Sequence, residues 1–168
     1  MDRYRTSWAR FWAGTVDAIV FVPIALIDDA LLSPERSSWI LLAWATVSYS
    51  SYWLYSVLLH ARYGQTVGKR LLGVKVLDVE ELHTPSLRQA FLRDIGIVIL
   101  NTLSLFYLAY LVLTSSYEPG AEFTSTPGEI LTWAAVAWFA LELVTMLSNE
   151  KRRAFHDFIA STVVVRDA

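Results

Sequence analysis

Long apolar blocks constrain the fold of this chain more than any other feature of its sequence. Four such blocks, each with few charged residues, cover about residues 8–27, 38–60, 95–114 and 130–148. A helix of about 20 residues, rising about 1.5 Å per residue, crosses the ~30 Å apolar layer of a bilayer. The chain is 55% hydrophobic and only 18% charged, as expected for a membrane protein. We therefore predict an all-α membrane protein with four transmembrane helices, built as a single domain over residues 1–168.

Basic residues predict the orientation of these helices. Of the 14 Lys and Arg residues, only Arg36 lies outside residues 1–10, the middle segment 61–94 and the tail 149–168. Cytoplasmic segments of membrane proteins are enriched in Lys and Arg. Both termini and the middle segment are therefore predicted to be cytoplasmic, in a multi-pass protein of the cell inner membrane. The net charge of −2 gives no reason to expect nucleic-acid binding.

Short secondary-structure elements are predicted in the two cytoplasmic segments. Residues 72–79 and 162–166 are strand-like, and a lone strand would leave its backbone groups unpaired, so we expect these two to pair. Thr84 and Pro85 are predicted to be the N-cap and first residue of an interfacial helix before the third span. Pro23 is predicted to kink the first span.

Arg10 and Asp17 are the two charged residues of the first apolar block. They are seven residues apart, about two helical turns, so they share one face of a helix. A carboxylate inside the membrane is costly and marks a functional site or a structural pair. Both interpretations stay open here. In the functional one, Asp17 alternates between a proton and a cation while Arg10 sets its pKa.

Each apolar block carries a polar or acidic residue at a similar depth. Counted along the helices, Asp17, Tyr52, Asn101 and Glu142 all lie roughly 10–13 Å from the cytoplasmic ends of their spans. If these residues face one another, they form a polar layer whose oxygen ligands suit Na⁺ or H⁺. No His or Cys is expected at that depth, so no metal site is predicted. The alternative for Glu142 is a protonated carboxyl group within the bundle.

Two motifs resemble catalytic or phosphate sites only superficially. In a phosphate-binding loop, the two glycines are five residues apart and the lysine is followed by a Ser or Thr that binds Mg²⁺; in residues 64–70 the glycines are four apart and Arg70 follows Lys69. We therefore interpret these glycines as backbone turns. Lys69 and Arg70 are interpreted as contacts to lipid headgroups or acidic partners. His156 and Asp157 are adjacent, so their side chains point about 100° apart on a helix. We expect Asp157 to accept hydrogen bonds from an arginine: Arg10, Arg70 or Arg93. Without a nucleophile or a metal set, no enzymatic activity and no cofactor are predicted.

Three ordered blocks resemble the RDD family of small bacterial membrane proteins, which is named for an arginine and two aspartates. Arg10 and Asp17 resemble the arginine and the first aspartate, and Asp157 resembles the second. Residues 64–76, here the basic block, resemble the motif after the second span, and residues 151–165 resemble the closing block. The closing block has Ser161 where glycine is common. The signature residues of the cytoplasmic segments are Gly64, Gln65, Thr66, Gly68, Lys69, Arg70, Arg93, Arg152, Arg153 and His156.

The resemblance implies a transporter, with cation/proton exchange as the activity suggested for some members. We expect transport of monovalent cations, protons or a small solute through the bilayer, by a homo-oligomer because four helices enclose little protected volume. The alternative function is a membrane anchor or assembly module. In that case the basic residues of 62–93 and 151–153 would bind anionic lipid or a protein partner.

Overall fold

A computed structural model describes residues 2–33, 35–118 and 121–167 of the chain. The described chain is mostly helical, with a two-stranded sheet and a short 3₁₀ turn at Asp2–Tyr4. The helices are α1 (Ser7–Val20), α2 (Val22–Leu31), α3 (Ser38–Tyr63), α4 (Val67–Leu71), α5 (Leu87–Arg93), α6 (Ile95–Leu113), α7 (Ala121–Thr124), α8 (Thr126–Leu147) and α9 (Phe155–Ile159). The strands are β1 (Val74–Asp78) and β2 (Thr162–Arg166).

Two helices of the described chain are long and apolar enough to cross a membrane. They are α6 and α8, with mean hydropathies of 2.1 and 1.8. The pair α1 and α2 together would form a third span, bent by 45°. The bend agrees with the predicted kink, because Pro23 lies at the start of α2 and has no backbone N–H to continue the hydrogen bonds of α1. The helix α3 is long enough to cross a membrane, but it is not among these candidates because the serines and tyrosines in its middle lower its mean hydropathy.

The first apolar segment extends further than the sequence suggested. Asp28 and Asp29, expected in a connecting loop, belong to α2. Asp28 accepts hydrogen bonds from Trp44 Nε1 (2.7 Å) and Ser48 Oγ (3.0 Å) of α3. An acid with two donors is tolerated near the end of an apolar helix because its charge is partly compensated. This contact fixes α2 against α3.

Apolar packing joins α3 to α6. Leu41 and Ala45 of α3 pack against Leu108 and Val112 of α6, and all four are buried. The small side chain of Ala45 lets the two helix backbones approach closely. At the same end of the molecule, the Tyr117 hydroxyl donates to the carbonyl oxygen of Leu32 (2.8 Å), so the two long connections meet there.

The two strands pair as the sequence predicted. The sheet is antiparallel, and Val76 lies opposite Val164. Val74, Val76 and Val164 form a buried apolar cluster against which Ala9 of α1 packs. The sheet therefore covers the beginning of α1, and its backbone groups are satisfied by pairing two segments that are far apart in the sequence.

The helix before α6 begins later than predicted. Its N-cap is Ser86, not Thr84, and Pro85 precedes the cap. Ser86 Oγ accepts from the backbone N–H of Gln89 (3.2 Å), and Gln89 Oε1 accepts from the backbone N–H of Ser86 (3.0 Å). This reciprocal capping box satisfies two N–H groups at once, which a threonine cap at position 84 would not do.

Ser161 occupies a backbone conformation that favours glycine. Its φ is +51°, and it lies in the turn between α9 and β2, at the position where glycine is common in the closing block. Its carbonyl oxygen accepts hydrogen bonds from Val79 N and Gln89 Nε2, but these are backbone contacts that glycine would keep. A non-glycine residue with positive φ is strained.

Ser161→Gly is therefore expected to raise the free energy of unfolding by about 0.5–1 kcal/mol, because relief of the strain exceeds the entropy lost by glycine. Thermal unfolding in detergent checks this. Ser37→Gly serves as the control, since Ser37 is exposed with φ −63° and makes no capping hydrogen bond. Equal effects of the two changes would contradict the explanation.

Candidate functional site

Asp157 is the centre of a buried ion-pair cluster that joins three parts of the chain. Its side chain is 0% exposed, and Oδ2 accepts from Arg10 Nη2 at 2.9 Å. Oδ1 pairs with Arg93 and accepts from Thr162 Oγ1 at 3.1 Å. Burial alone would raise the pKa of Asp157, but the charges of Arg93 and Arg10 hold it well below its usual range. The sequence-based expectation that Asp157 binds an arginine is met by two, Arg10 and Arg93; Arg70 is exposed.

Arg10 contacts the tail and not Asp17. Besides Asp157, its Nη1 donates to the carbonyl oxygen of Arg152 (3.0 Å), and its Nη2 lies 3.3 Å from His156 Nε2. Arg10 makes no direct contact with Asp17, so the expectation that Arg10 sets the pKa of Asp17 stays a prediction. Two turns of helix separate the residues, and the closing block offers Arg10 a nearer carboxylate.

Asp17 is buried against the basic block. Its Oδ1 accepts from the Tyr55 hydroxyl (2.8 Å) and the backbone N–H of Gly68 (2.8 Å), and its Oδ2 accepts from Thr66 Oγ1 (2.6 Å). Only 1% of the residue is exposed. Three donors compensate a buried carboxylate well. This geometry favours the structural interpretation of Asp17, and the transport role stays a prediction.

Gly68 is required by the close approach of α1 to α4. A Cβ atom at this position would lie 2.0 Å from the carbonyl oxygen of Ala13 and 3.0 Å from Asp17 Cγ. Without a Cβ, the backbone N–H of Gly68 can reach Asp17 directly. Gly64, with φ +71°, ends α3 in the left-handed conformation common after helices. These two glycines of the basic block set the path of the backbone below α1.

The remaining members of the two blocks hold the small sheet in place. Gln65 Nε2 donates to Val74 O (3.1 Å) and to Asp167 Oδ2 (2.8 Å). Arg153 Nε donates to Thr162 O, and its Nη2 donates to Asp157 O, each at 2.9 Å. Gln65 and Arg153 therefore stabilise the sheet and the tail by hydrogen bonds.

A cavity of about 420 Å³ lies among α1, α3, α6 and α8, close to the sheet. Helix α1 packs mainly on α4, and α8 packs on α6, α7 and α9, so no extensive contact closes the space between α1 and α8. Gly14 of α1 lines this space, and a Cβ atom there would meet nothing within 4 Å. One side of the cavity is apolar, with residues such as Ile97, Leu100, Trp138 and Phe139.

The other side of the cavity gathers ionisable groups from six parts of the chain. They are Arg10 and Asp17 of α1, His60 of α3, Lys69 of α4, Arg93 and Asp94 at the junction of α5 and α6, Glu142 of α8 and His156 of α9. Such a concentration of charge beside apolar helices is unusual, because intramembrane charges are costly. It marks this cavity as the candidate functional site.

Several polar groups of this site have no hydrogen-bond partner among the described residues. They are Glu142 Oε1, Asp94 Oδ2 and His60 Nε2. Glu142 Oε2 is engaged, because it lies 2.6 Å from His156 Nδ1. His60 Nδ1 lies 3.1 Å from Ser56 Oγ. His60 is 1% exposed and Asp94 is 8% exposed, so bulk water does not replace the missing partners.

The structure brings three of the four residues proposed for the polar layer to the cavity. Asp17, Tyr52 and Glu142 line the cavity, whereas Asn101 does not. The side-chain amide of Asn101 donates to the Tyr49 carbonyl oxygen of α3 (2.9 Å), so this residue joins two helices. Counting residues along a helix gives a position along the helix axis, but it does not determine rotation about that axis.

His60, His156 and Lys69 also line the cavity. His156 contacts Glu142, although no histidine was expected at the depth of that residue. Lys69 was expected at lipid headgroups or on acidic partners; it is partly buried, and the charges of Asp17 and Asp94 act on it. Burial and the charge of Arg93 lower the pKa of Lys69 to about 8. Within residues 2–33, 35–118 and 121–167, no group of three or more His, Asp or Glu residues has a metal-binding arrangement.

Residues 4–161 match the family model of the RDD family. The chain belongs to the RDD family. The match covers nearly the whole chain, including α1, the basic block and most of the closing block. In this RDD protein, the arginine and the two aspartates do not converge on one point: Arg10 pairs with Asp157, while Asp17 binds the basic block. No curated protein and no solved structure matches the chain significantly.

Proposed function

We propose that this protein exchanges a monovalent cation for protons across the cell inner membrane, through the cavity between α1 and α8. The observation that supports this proposal is the pair of carboxylates Asp94 and Glu142, each with an unpartnered oxygen beside a largely apolar cavity. Carboxylate oxygens suit Na⁺, K⁺ and H⁺, and polar groups at membrane depth mark ion pathways.

The topology belongs to the same proposal. The helices α1 with α2, α3, α6 and α8 form four spans, with both termini and the sheet on the cytoplasmic side. Two copies or more assemble, because a single bundle leaves the space between α1 and α8 open. A neighbouring subunit would close that side to lipid. The protein acts without a cofactor and is not an enzyme.

The alternative of a membrane anchor has less support from the positions of the basic residues. Lys69 and Arg93 face the cavity, and Lys151 pairs with Glu81 at 2.9 Å. Within residues 62–93 and 151–153, the exposed basic residues that an anionic lipid or acidic partner would contact are Arg62, Arg70 and Arg88. Stoichiometric purification with a partner, together with no ion flux, would favour this alternative.

Proton flux in proteoliposomes tests the proposal. The full chain, reconstituted with pH- and Na⁺-sensitive dyes, is expected to show Na⁺- or K⁺-driven proton flux. Glu142→Gln is expected to reduce this flux at least tenfold, because an interaction with a charged group contributes about 1.5–3 kcal/mol. Glu150→Gln is the control, since Glu150 is an exposed carboxylate outside the cavity.

Gly14→Trp provides a second, independent variant. Nothing lies within 4 Å of a Cβ atom added at Gly14, and Gly14 lines the cavity, so a large side chain there starts in open space and fills part of the cavity. We expect loss of flux with unchanged thermal stability, and we expect Gly14→Ala to keep its flux. The absence of any Na⁺, K⁺ or H⁺ flux in vesicles that contain the wild-type protein would refute the proposed function.

A further inference from the structure

The Lys69 ammonium group is the one cation at the cavity that lacks a partner among the described residues. Arg10 and Arg93 both pair with Asp157. Lys69 lines the cavity, yet its side chain makes no hydrogen bond or ion pair with any described residue. A partly buried ammonium group without a partner is unfavourable. Its retention there suggests a role other than structural pairing.

The backbone around Lys69 is fixed, so its side chain stays near the cavity. Thr66 caps α4 by accepting from the backbone N–H of Lys69 (3.3 Å). Thr66 and Gly68 are in turn bound to Asp17 of α1. Because α4 is held at two points, Lys69 cannot leave the cavity by a simple movement of the loop.

The charges around Lys69 come close to balance only while it is protonated. The groups that face it are Arg10 and Asp17 of α1, Tyr52 and His60 of α3, Arg93 and Asp94 before α6, Glu142 of α8 and His156 of α9, with Asp157 behind the two arginines. With neutral imidazoles, the carboxylates exceed the cations by one charge. Loss of the Lys69 proton would double that excess and remove one of the two cations, Arg93 and Lys69, whose charges act on Asp94.

We propose that Lys69 carries the exchanged proton, and that its ammonium group and the bound monovalent cation exclude each other from the cavity. This inference rests on the proposed function. In the step, the Nζ–H bond breaks, the electron pair stays on nitrogen and the proton leaves to water. The incoming cation then takes the place of the ammonium charge beside Asp17 and Asp94, the two carboxylates whose charges act on Lys69. The net charge of the cavity is unchanged, so one cation replaces one proton.

The proton of Lys69 is exchangeable under physiological conditions. Burial and the charge of Arg93 lower the pKa of Lys69 to about 8. Roughly one molecule in ten is then unprotonated at pH 7, against about one in three thousand for a lysine with the ordinary pKa of 10.5. Cation binding is therefore expected to strengthen as the pH rises from 6 to 9.

Lys69→Arg separates this role from a merely structural one. Arginine keeps the positive charge but does not release its proton in this pH range. We expect Na⁺-driven proton flux to fall at least tenfold while thermal unfolding in detergent is unchanged. Lys75→Arg is the matched control, because Lys75 lies in β1 and outside the cavity. Full flux with Lys69→Arg would overturn the inference.

Binding of Na⁺ to the detergent-solubilised full chain gives a second readout, which decides the matter if Lys69→Arg does not fold. The wild-type affinity is expected to rise about tenfold per pH unit below pH 8, and Lys69→Gln is expected to bind Na⁺ with no such pH dependence. The same pH dependence in Lys69→Gln and the wild type would refute the role of Lys69.

If the wild type exchanges ions and Lys69→Arg does too, only this inference fails. If the wild type neither binds nor exchanges Na⁺ or K⁺, the proposed function fails with it.

Discussion

Asp157→Ala is expected to lower the free energy of unfolding by about 3–5 kcal/mol, the largest effect that we predict for a single substitution in this protein. Removal of one member of a buried ion cluster leaves the other charges uncompensated. Here the substitution would leave Arg10 and Arg93 without their counter-charge. The backbone N–H of Ala154 would also lose its acceptor, Asp157 Oδ2, which lies at 3.0 Å. Thermal or denaturant unfolding in detergent micelles measures the effect. Asp29→Ala is the control, because Asp29 is exposed.

The pH dependence of this effect follows from the pKa of Asp157. The charges of Arg93 and Arg10 hold that pKa well below its usual range in the folded protein. A carboxylate with a depressed pKa stabilises the fold above its unfolded pKa and loses that contribution as the pH falls further. The difference between wild type and Asp157→Asn should therefore be constant above about pH 4 and shrink below it. A difference that already disappears between pH 7 and 5 would contradict this assignment.

Gly68→Ala is expected to destabilise the protein by about 3 kcal/mol. The added Cβ would lie 2.0 Å from the Ala13 carbonyl oxygen, which is backbone and cannot rotate away, so α1 and α4 must separate. Overpacking costs about 1–3 kcal/mol, and the hydrogen bond from Gly68 N to Asp17 would weaken as well. Unfolding in detergent and the accessibility of α4 to protease measure the change.

Gly14→Ala is the matched control for this prediction. Gly14 is also a glycine within a helix, but a Cβ atom added there would meet nothing within 4 Å. Alanine is the better helix former by about 1 kcal/mol, so this variant should be equally or slightly more stable than the wild type. Equal stability of the two alanine variants would show that α1 and α4 do not require the glycine at their contact.

Features that depend on local chemistry could be predicted from the sequence. The pairing of residues 72–79 with 162–166 followed from the need to satisfy backbone groups, and Val76 does lie opposite Val164. Charge predicted that Asp157 binds an arginine, with Arg10, Arg70 and Arg93 as candidates, and two of these three bind it. In both cases, the cost of leaving a group unpaired restricts the choice of partner to a few candidates.

Features that depend on helix rotation could not be predicted. Asn101 has the depth of Asp17 and Glu142, but it faces α3 instead of the cavity. The sequence favours the membrane surface for Lys69 because basic residues usually lie there, whereas the cap at Thr66 directs α4 so that Lys69 lines the cavity. The position of His156 depends on where α9 docks, and nothing within the tail itself indicates that it meets Glu142 at 2.6 Å.

The ion cluster around Asp157 has a consequence for biosynthesis. Proteins are made from the N-terminus, so Arg10 and Arg93 are synthesised long before their shared carboxylate. The strand β1 likewise cannot pair until β2, which follows Asp157 in the chain, has been synthesised. Closure of this end of the bundle therefore requires that residues 157–166 have been synthesised. A chain interrupted before Asp157 would carry two uncompensated arginines and an unpaired strand, which mark it for degradation as an unfinished product.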